Sequence, residues 1–349
     1  MVESRDTLDL SGLGLTSLPT ELFRNDSITV LNCSGNRLTS LPENLPPGLL
    51  SLDCSSNQLS SLPHKLPRGL RILNCSDNQL TSLNEIPAEL EWLNCAENRL
   101  MTLPHTLPAG IKTFYCSKNR LMSLPAKLPV SLEVLQCGSN KLITLGTALP
   151  ASMTTLSCNN NQLTVLPALP PGLTKLYCMC NQLTSLPSVL PTTITSLFCS
   201  ANRLTSLPDL PAALVTLYCD ENQLTALPSK LPPTLERIFC QKNRLTSLPE
   251  DVPTNLNLIY CADNLLVQFP DSYPKNIQFL YSYGNRLPRN HSTESLQEYV
   301  KRVNQIAESL SKERVTRRCR AFSEELMMKV WHPTRVERLM LAGVDMEDM

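Results

Sequence analysis

Residues 217–232 read Leu217-Tyr218-Cys219-Asp220-Glu221-Asn222-Gln223-Leu224-Thr225-Ala226-Leu227-Pro228-Ser229-Lys230-Leu231-Pro232. The first three positions alternate with a period of two, which predicts a short strand turning Leu217 and Cys219 to one side and Tyr218 to the other. Two Leu-Pro pairs follow, and prolines so close together forbid a regular helix. The frame L-x-C-x-x-N-x-L-x-x-L-P-x-x-L-P recurs along the chain. Its asparagine stands at Asn36, Asn57, Asn78, Asn98, Asn119, Asn140, Asn161, Asn181, Asn202, Asn222, Asn243, Asn264 and Asn285, always 20 or 21 residues from the last. Cysteine lies three positions earlier, from Cys33 to Cys261, with Ser282 in the last copy. Residues 8–19 fit the frame with Leu10 for cysteine and Leu13 for asparagine, which makes fourteen copies.

A single such strand cannot bury its apolar face, so the copies must stack, each adding a parallel strand about 4.8 Å from the last. The asparagine stands where the chain leaves the sheet. Its amide carries donors and an acceptor that can satisfy backbone groups of that turn and bridge to the next coil. The predicted fold is therefore a solenoid with a parallel β-sheet on its concave face. Its return path is extended or polyproline-like, without helices. Residues 1–7 form a leader, 8–287 the solenoid and 288–349 a C-terminal helical cap or tail.

The totals agree with this reading. The chain has 349 residues, 31 basic and 31 acidic, so no net field steers it towards nucleic acid or a membrane. Its start, Met-Val-Glu-Ser-Arg-Asp, lacks the basic and apolar stretches of a secretion signal. No apolar run is long enough to span a bilayer.

The pattern L-x-x-L-x-C-x-x-N-x-L-x-x-L-P over residues 8–287 resembles the leucine-rich-repeat superfamily. Its short repeat is similar to those of bacterial effectors of the Yersinia outer protein M and invasion-plasmid antigen H families. Leu166-Pro167-Ala168-Leu169-Pro170 and Leu207-Pro208-Asp209-Leu210-Pro211 match their return segment most fully. The resemblance implies a scaffold that binds a protein or peptide, acting in a cytoplasm, that of a host cell if it is an effector. This chain departs from those families in most return segments, which are one residue longer, and in its cysteine column, where valine or leucine is usual.

Fourteen cysteines raise the question of disulfides, metal or catalysis. Twelve share one inward column, where a thiol acts as a small hydrophobe. A metal needs ligands converging on one point, whereas this column is a line. The antigen H resemblance implies a ligase nucleophile in a Cys-x-Asp motif. Cys261-Ala262-Asp263 has those letters but belongs to the buried column. Cys319 lies outside the repeats and is followed by Arg320 and Ala321, without the acid. The four histidines, His64, His105, His291 and His332, form no catalytic or metal spacing. The reading is therefore of no enzyme, cofactor or metal.

The central outward column of the concave face runs Asn32, Asp53, Asn74, Asn94, Tyr115, Gln136, Ser157, Tyr177, Phe198, Tyr218, Phe239, Tyr260, Tyr281. Its last six members are all aromatic in a chain with 5% aromatics. Rigid aromatic area is what interfaces are commonly built on. Two readings stand side by side: a docking surface, or rings that merely stack on one another. Trp92, outward in the polar half, is a candidate separate anchor. Lys175, Thr216, Arg237, Asp220 and Gln241 give the surroundings mixed charge, which favours a protein or peptide over nucleic acid.

After Pro288 the period becomes helical. Ser292 or Thr293 is expected to cap a helix carrying Leu296, Val300, Val303, Ile306 and Leu310. A second apolar cluster from Phe322 to Trp331 precedes His332-Pro333, and a short helix ends at Gly343. Residues 325–339 resemble a helix-His-Pro-x-Arg-helix tail of large-DNA-virus proteins. The segment reads as a cap over the solenoid end, or as a module that recruits machinery. The latter would make the protein a substrate-recognition adaptor or ligase component in a ubiquitin pathway.

Overall fold

The computed structural model describes residues 6–19, 21, 27–270, 277–289 and 294–330. Fourteen strands form one all-parallel sheet in chain order. They are β1 (Asp6–Asp9), β2 (Ile28–Asn32), β3 (Ser51–Asp53), β4 (Ile72–Asn74), β5 (Trp92–Asn94), β6 (Thr113–Tyr115) and β7 (Val134–Gln136). The second half holds β8 (Thr155–Ser157), β9 (Lys175–Tyr177), β10 (Ser196–Phe198), β11 (Thr216–Tyr218), β12 (Arg237–Phe239), β13 (Leu258–Tyr260) and β14 (Phe279–Tyr281). From β2 onward each strand pairs in register with its successor, so every repeat column is a straight row across the sheet. β1 meets β2 with one register shift, between Asp6 and Thr7. The returns contain no α-helix among the described residues, as the paired prolines dictate.

The core is the inside of this coil. In the copy that begins at Leu214, the side chains of Leu214, Leu217, Cys219 and Leu224 are wholly buried. Each leucine so placed contributes about 1.5–3 kcal/mol of transfer free energy. The contribution exists only because the next coil covers it.

A conformational demand repeats beside each asparagine. The preceding residue is left-handed in every copy: Gly12, Gly35 and Gly284 at φ 66–69°, and eleven non-glycine residues, from Ser56 to Asp263, at φ 51–56°. This backbone turns the chain sharply out of the strand and aims the asparagine into the coil. Side chains occupy it at a cost of about 1–2 kcal/mol each.

One helix, α1 (Leu296–Val330), follows the last coil. Its cap is Ser295, not the expected Ser292 or Thr293, which lie outside the described residues. Ser295 Oγ accepts from the Glu298 N–H at 3.3 Å, and the Ser295 N–H donates to Glu298 Oε2 at 2.9 Å, a reciprocal box that closes the first turn. Tyr299, Val300 and Val303 are buried against the final coil. Asn304 Oδ1 accepts the Phe269 N–H at 3.0 Å. Ile306 and Leu310, expected in the covered stripe, are exposed, Leu310 by 60%, and Phe322 by 67%. Burial stops after Val303, so only the first turns of the helix reach the core. Trp331 through Gly343 lie outside the described residues.

Candidate functional site

The strand pleat sends Tyr177, Phe198, Tyr218, Phe239, Tyr260 and Tyr281 to the open face, one per strand from β9 to β14, because their neighbours on both sides are committed to the core. The rings form a continuous row. Centroid separations are 4.8, 4.5, 4.0, 6.3 and 5.0 Å along it. The row has two characters. From Phe198 to Phe239 the planes lie within 11° of parallel, so the π faces cover each other and the ring edges look outward. From Phe239 onward the tilt opens to 48° and then 63°, and faces come free.

Two aromatics that the repeat frame did not single out extend this open end. Tyr283 follows Ser282 and is 59% exposed, and Phe279 opens β14 on the same face. The Tyr260 and Tyr283 hydroxyls are hydrogen-bonded to each other. That bond, with burial and neighbouring charge behind it, raises the Tyr260 phenol above its ordinary value. The run Phe279-Leu280-Tyr281-Ser282-Tyr283 carries an aromatic at every second position, a signal visible in the letters alone.

Tyr115 stands apart from the row, between Asn94 and Gln136. It meets Trp92 edge to face at 5.6 Å, diagonally across two strands. The two form one small aromatic pair. Elsewhere in the polar half the column serves its own backbone. Asn32, Asp53, Asn74 and Asn94 each accept, through Oδ1, the N–H two residues on. These are Asx turns that cap the strand exits.

Acidic and amide groups border the stacked stretch. Burial of Asp220 raises its carboxyl above the usual carboxylate range, against a hydrogen bond from the Ser200 hydroxyl that pulls it down. Lys242 is paired with Glu221, which holds its ammonium pKa up. The flank thus carries both charges and no basic stripe.

Behind the sheet the asparagines tie coil to coil. Asn202 Nδ2 lies 3.0 Å from the carbonyls of Cys178 and Cys199 and 3.1 Å from that of Ser200, and its Oδ1 accepts the Leu183 N–H at 3.0 Å. The same set recurs from Asn36 to Asn285. The bridge therefore reaches back to the preceding coil. The first copy, with no preceding coil among the described residues, has Leu13 in that place, and Leu13 is 63% exposed.

The cysteine column is wholly buried, and burial pushes the thiols of Cys33, Cys75, Cys137, Cys199 and Cys261 up to about 12. A thiol so buried and so raised is a poor nucleophile near neutral pH, and Cys261 of the Cys-x-Asp letters is one of these. Cys180 and Cys319 are exposed. Among the described residues no three His, Cys, Asp or Glu side chains converge on a metal-sized site. No helix there is long and apolar enough to cross a membrane.

No protein-family model and no curated protein matches the chain. Among solved structures it is similar to YopM, a leucine-rich effector protein from Yersinia pestis. Identity there is 33% and the TM-score 0.68, over 79% of this chain and 88% of that one. YopM from Yersinia enterocolitica WA-314 is 32% identical at a TM-score of 0.58, over 74% of this chain and 64% of that one. The chain thus spans just under two thirds of that protein's length. The functional domain of InlJ from Listeria monocytogenes, described as including a cysteine ladder, is 26% identical at a TM-score of 0.70, over 80% of this chain and 63% of that one.

Proposed function

Because the chain belongs to the short-repeat leucine-rich-repeat proteins that include YopM, we propose that it is a non-catalytic scaffold whose aromatic concave row docks a protein or peptide partner. The fold is that of a protein-interaction scaffold. The observation that carries the finer reading is the unbroken run of six register-paired rings facing solvent. Stacking does not consume this surface, since the outward edges of Phe198, Tyr218 and Phe239 and the tilted faces beyond them stay accessible. Their side chains are already held by their neighbours, so binding costs little further ordering. Trp92 with Tyr115 is a second, smaller anchor on the same face. Mixed flanking charge favours a protein partner over nucleic acid. By analogy with the YopM effector, the partner belongs to a host cell and the protein acts in its cytoplasm.

The test is affinity capture from host-cell extract with the wild-type chain and with a Tyr218→Ala, Phe239→Ala, Tyr260→Ala variant. A partner retained by the first and lost by the second supports the reading, provided both keep the same circular dichroism spectrum. Identical captured sets reject it.

A further inference from the structure

The last strand of the sheet is open at its outer edge. In every inner coil the same backbone groups bond forward to the next coil. Cys240 N–H donates to the Tyr260 carbonyl at 2.8 Å, and Lys242 N–H donates to the Ala262 carbonyl at 3.0 Å. The intervening leucine column points its N–H and C=O the same way, as parallel pairing requires. Among the described residues β14 pairs only with β13. Its equivalents, the Leu280 N–H and C=O, the Ser282 N–H and the Gly284 N–H, therefore face a strand position that is empty among the described residues.

α1 covers the coil's apolar interior and touches this edge through Tyr299, whose hydroxyl reaches the Ser282 side chain. Between them lies a cavity of about 590 Å³, lined by Leu280, Ser282, Gly284, Arg289, Leu296 and Tyr299. Its size is that of a ligand site, about 300–1,000 Å³. Leu280, Leu287 and Leu296 give the lining an apolar part that suits an inward side chain of an added strand. The mouth holds Arg289, with Arg286 close by in sequence, and no ion pair engages either among the described residues.

We infer that the edge of β14 is a second docking site, whose occupant is an extended peptide adding a fifteenth parallel strand. Unmatched main-chain donors and acceptors at one edge select an extended backbone above any other ligand. The columns fix its side chains. An apolar residue enters the cavity beside Leu280, the next residue stacks on the exposed Tyr281, and a small residue follows beside Ser282. Parallel direction then carries the peptide past Arg289, which calls for an acidic residue beyond the strand. The site uses the sheet's edge and does not rest on the concave row as a docking surface.

The probe is a fluorescently labelled peptide, Gln-Phe-Leu-Tyr-Ser-Glu-Glu, titrated into the full chain and read by anisotropy. In parallel register its Phe and Tyr N–H groups face β14, while its Leu N–H faces away. N-methylation at Phe or Tyr is expected to weaken binding about tenfold or more, and N-methylation at Leu by less than about threefold. Ser282→Pro removes an outward donor and is expected to weaken the parent peptide similarly. Ser282→Ala, which loses only the side chain's contact with Tyr299, is expected to bind it as the wild type does. No saturable binding of the parent overturns the inference. So does equal loss at all three N-methylated positions, a result that needs no variant of the protein to fold.

Discussion

The Phe239 ring centroid lies 4.0 Å from that of Tyr218, with the planes 9° from parallel. The separation is shorter than the usual distance between neighbouring strands, about 4.8 Å, so the two rings lean together over their backbones. Covered faces leave only edges and the Tyr218 hydroxyl for a visitor. The surface is therefore stiff and apolar with polar points, and it selects by shape.

The asparagine ladder is expected to set stability coil by coil. Asn202→Ala leaves the buried Leu183 N–H without its partner, while the Cys178 and Cys199 carbonyls keep the amides of Asn181 and Asn222. A loss of about 1–3 kcal/mol follows, the cost of one backbone donor buried unsatisfied. Urea denaturation measures it. A loss below about 1 kcal/mol would show that water or a relaxed turn replaces the amide.

At the neighbouring position the sign reverses. Ala201 sits at φ 52°, where a Cβ is unfavourable. Ala201→Gly is expected to stabilise the fold by about 0.5–1 kcal/mol, the left-handed penalty less the extra chain entropy of glycine. A lowered melting temperature would contradict this.

Thiol reactivity separates the column from the surface. Of the fourteen cysteines, Cys180 and Cys319 are exposed and the other twelve buried. A disulfide-exchange reagent at neutral pH is expected to label two thiols quickly in the folded protein and all fourteen in denaturant. Rapid labelling of more than two would mean that the coils open readily.

Asp220 predicts a pH dependence. Burial raises its folded pKa above the unfolded value of 3.8, so folding disfavours the charged form. Stability from this group is greatest below the unfolded pKa and falls as pH rises through the interval up to the folded one. Asp220→Asn, which keeps an acceptor for Ser200, is expected to melt higher than wild type at neutral pH. That advantage should vanish in acid below the ordinary carboxylate range. An advantage that persists there would assign it to something other than ionisation.

Much of this molecule is legible in the order of its residues. Leucine, cysteine and asparagine recur at fixed spacing, and period-two alternation fixes which of them face inward. Paired prolines exclude helix from the return. Other features are hidden for physical reasons. The left-handed residue before each asparagine is occupied by Ser, Asp, Glu, Lys, Asn, Cys or Ala as well as Gly, because backbone geometry selects it and side chain does not. Gly12, Gly35 and Gly284 are the only letters that hint at it. The Trp92–Tyr115 contact crosses two columns diagonally, so no single row reveals it. The amphipathic spacing of Ile306 and Leu310 predicts burial, but how far a helix extends beyond the coil end is a tertiary matter that spacing does not encode.

Hydroxyl-radical footprinting of the free chain and of its complex with the captured partner tests the concave row most directly. The account predicts that Tyr177, Phe198, Tyr218, Phe239, Tyr260 and Tyr281 lose reactivity on binding, while the exposed convex residues Met101 and Met122 keep theirs. Protection on the convex side, with the six rings as reactive as before, would contradict it.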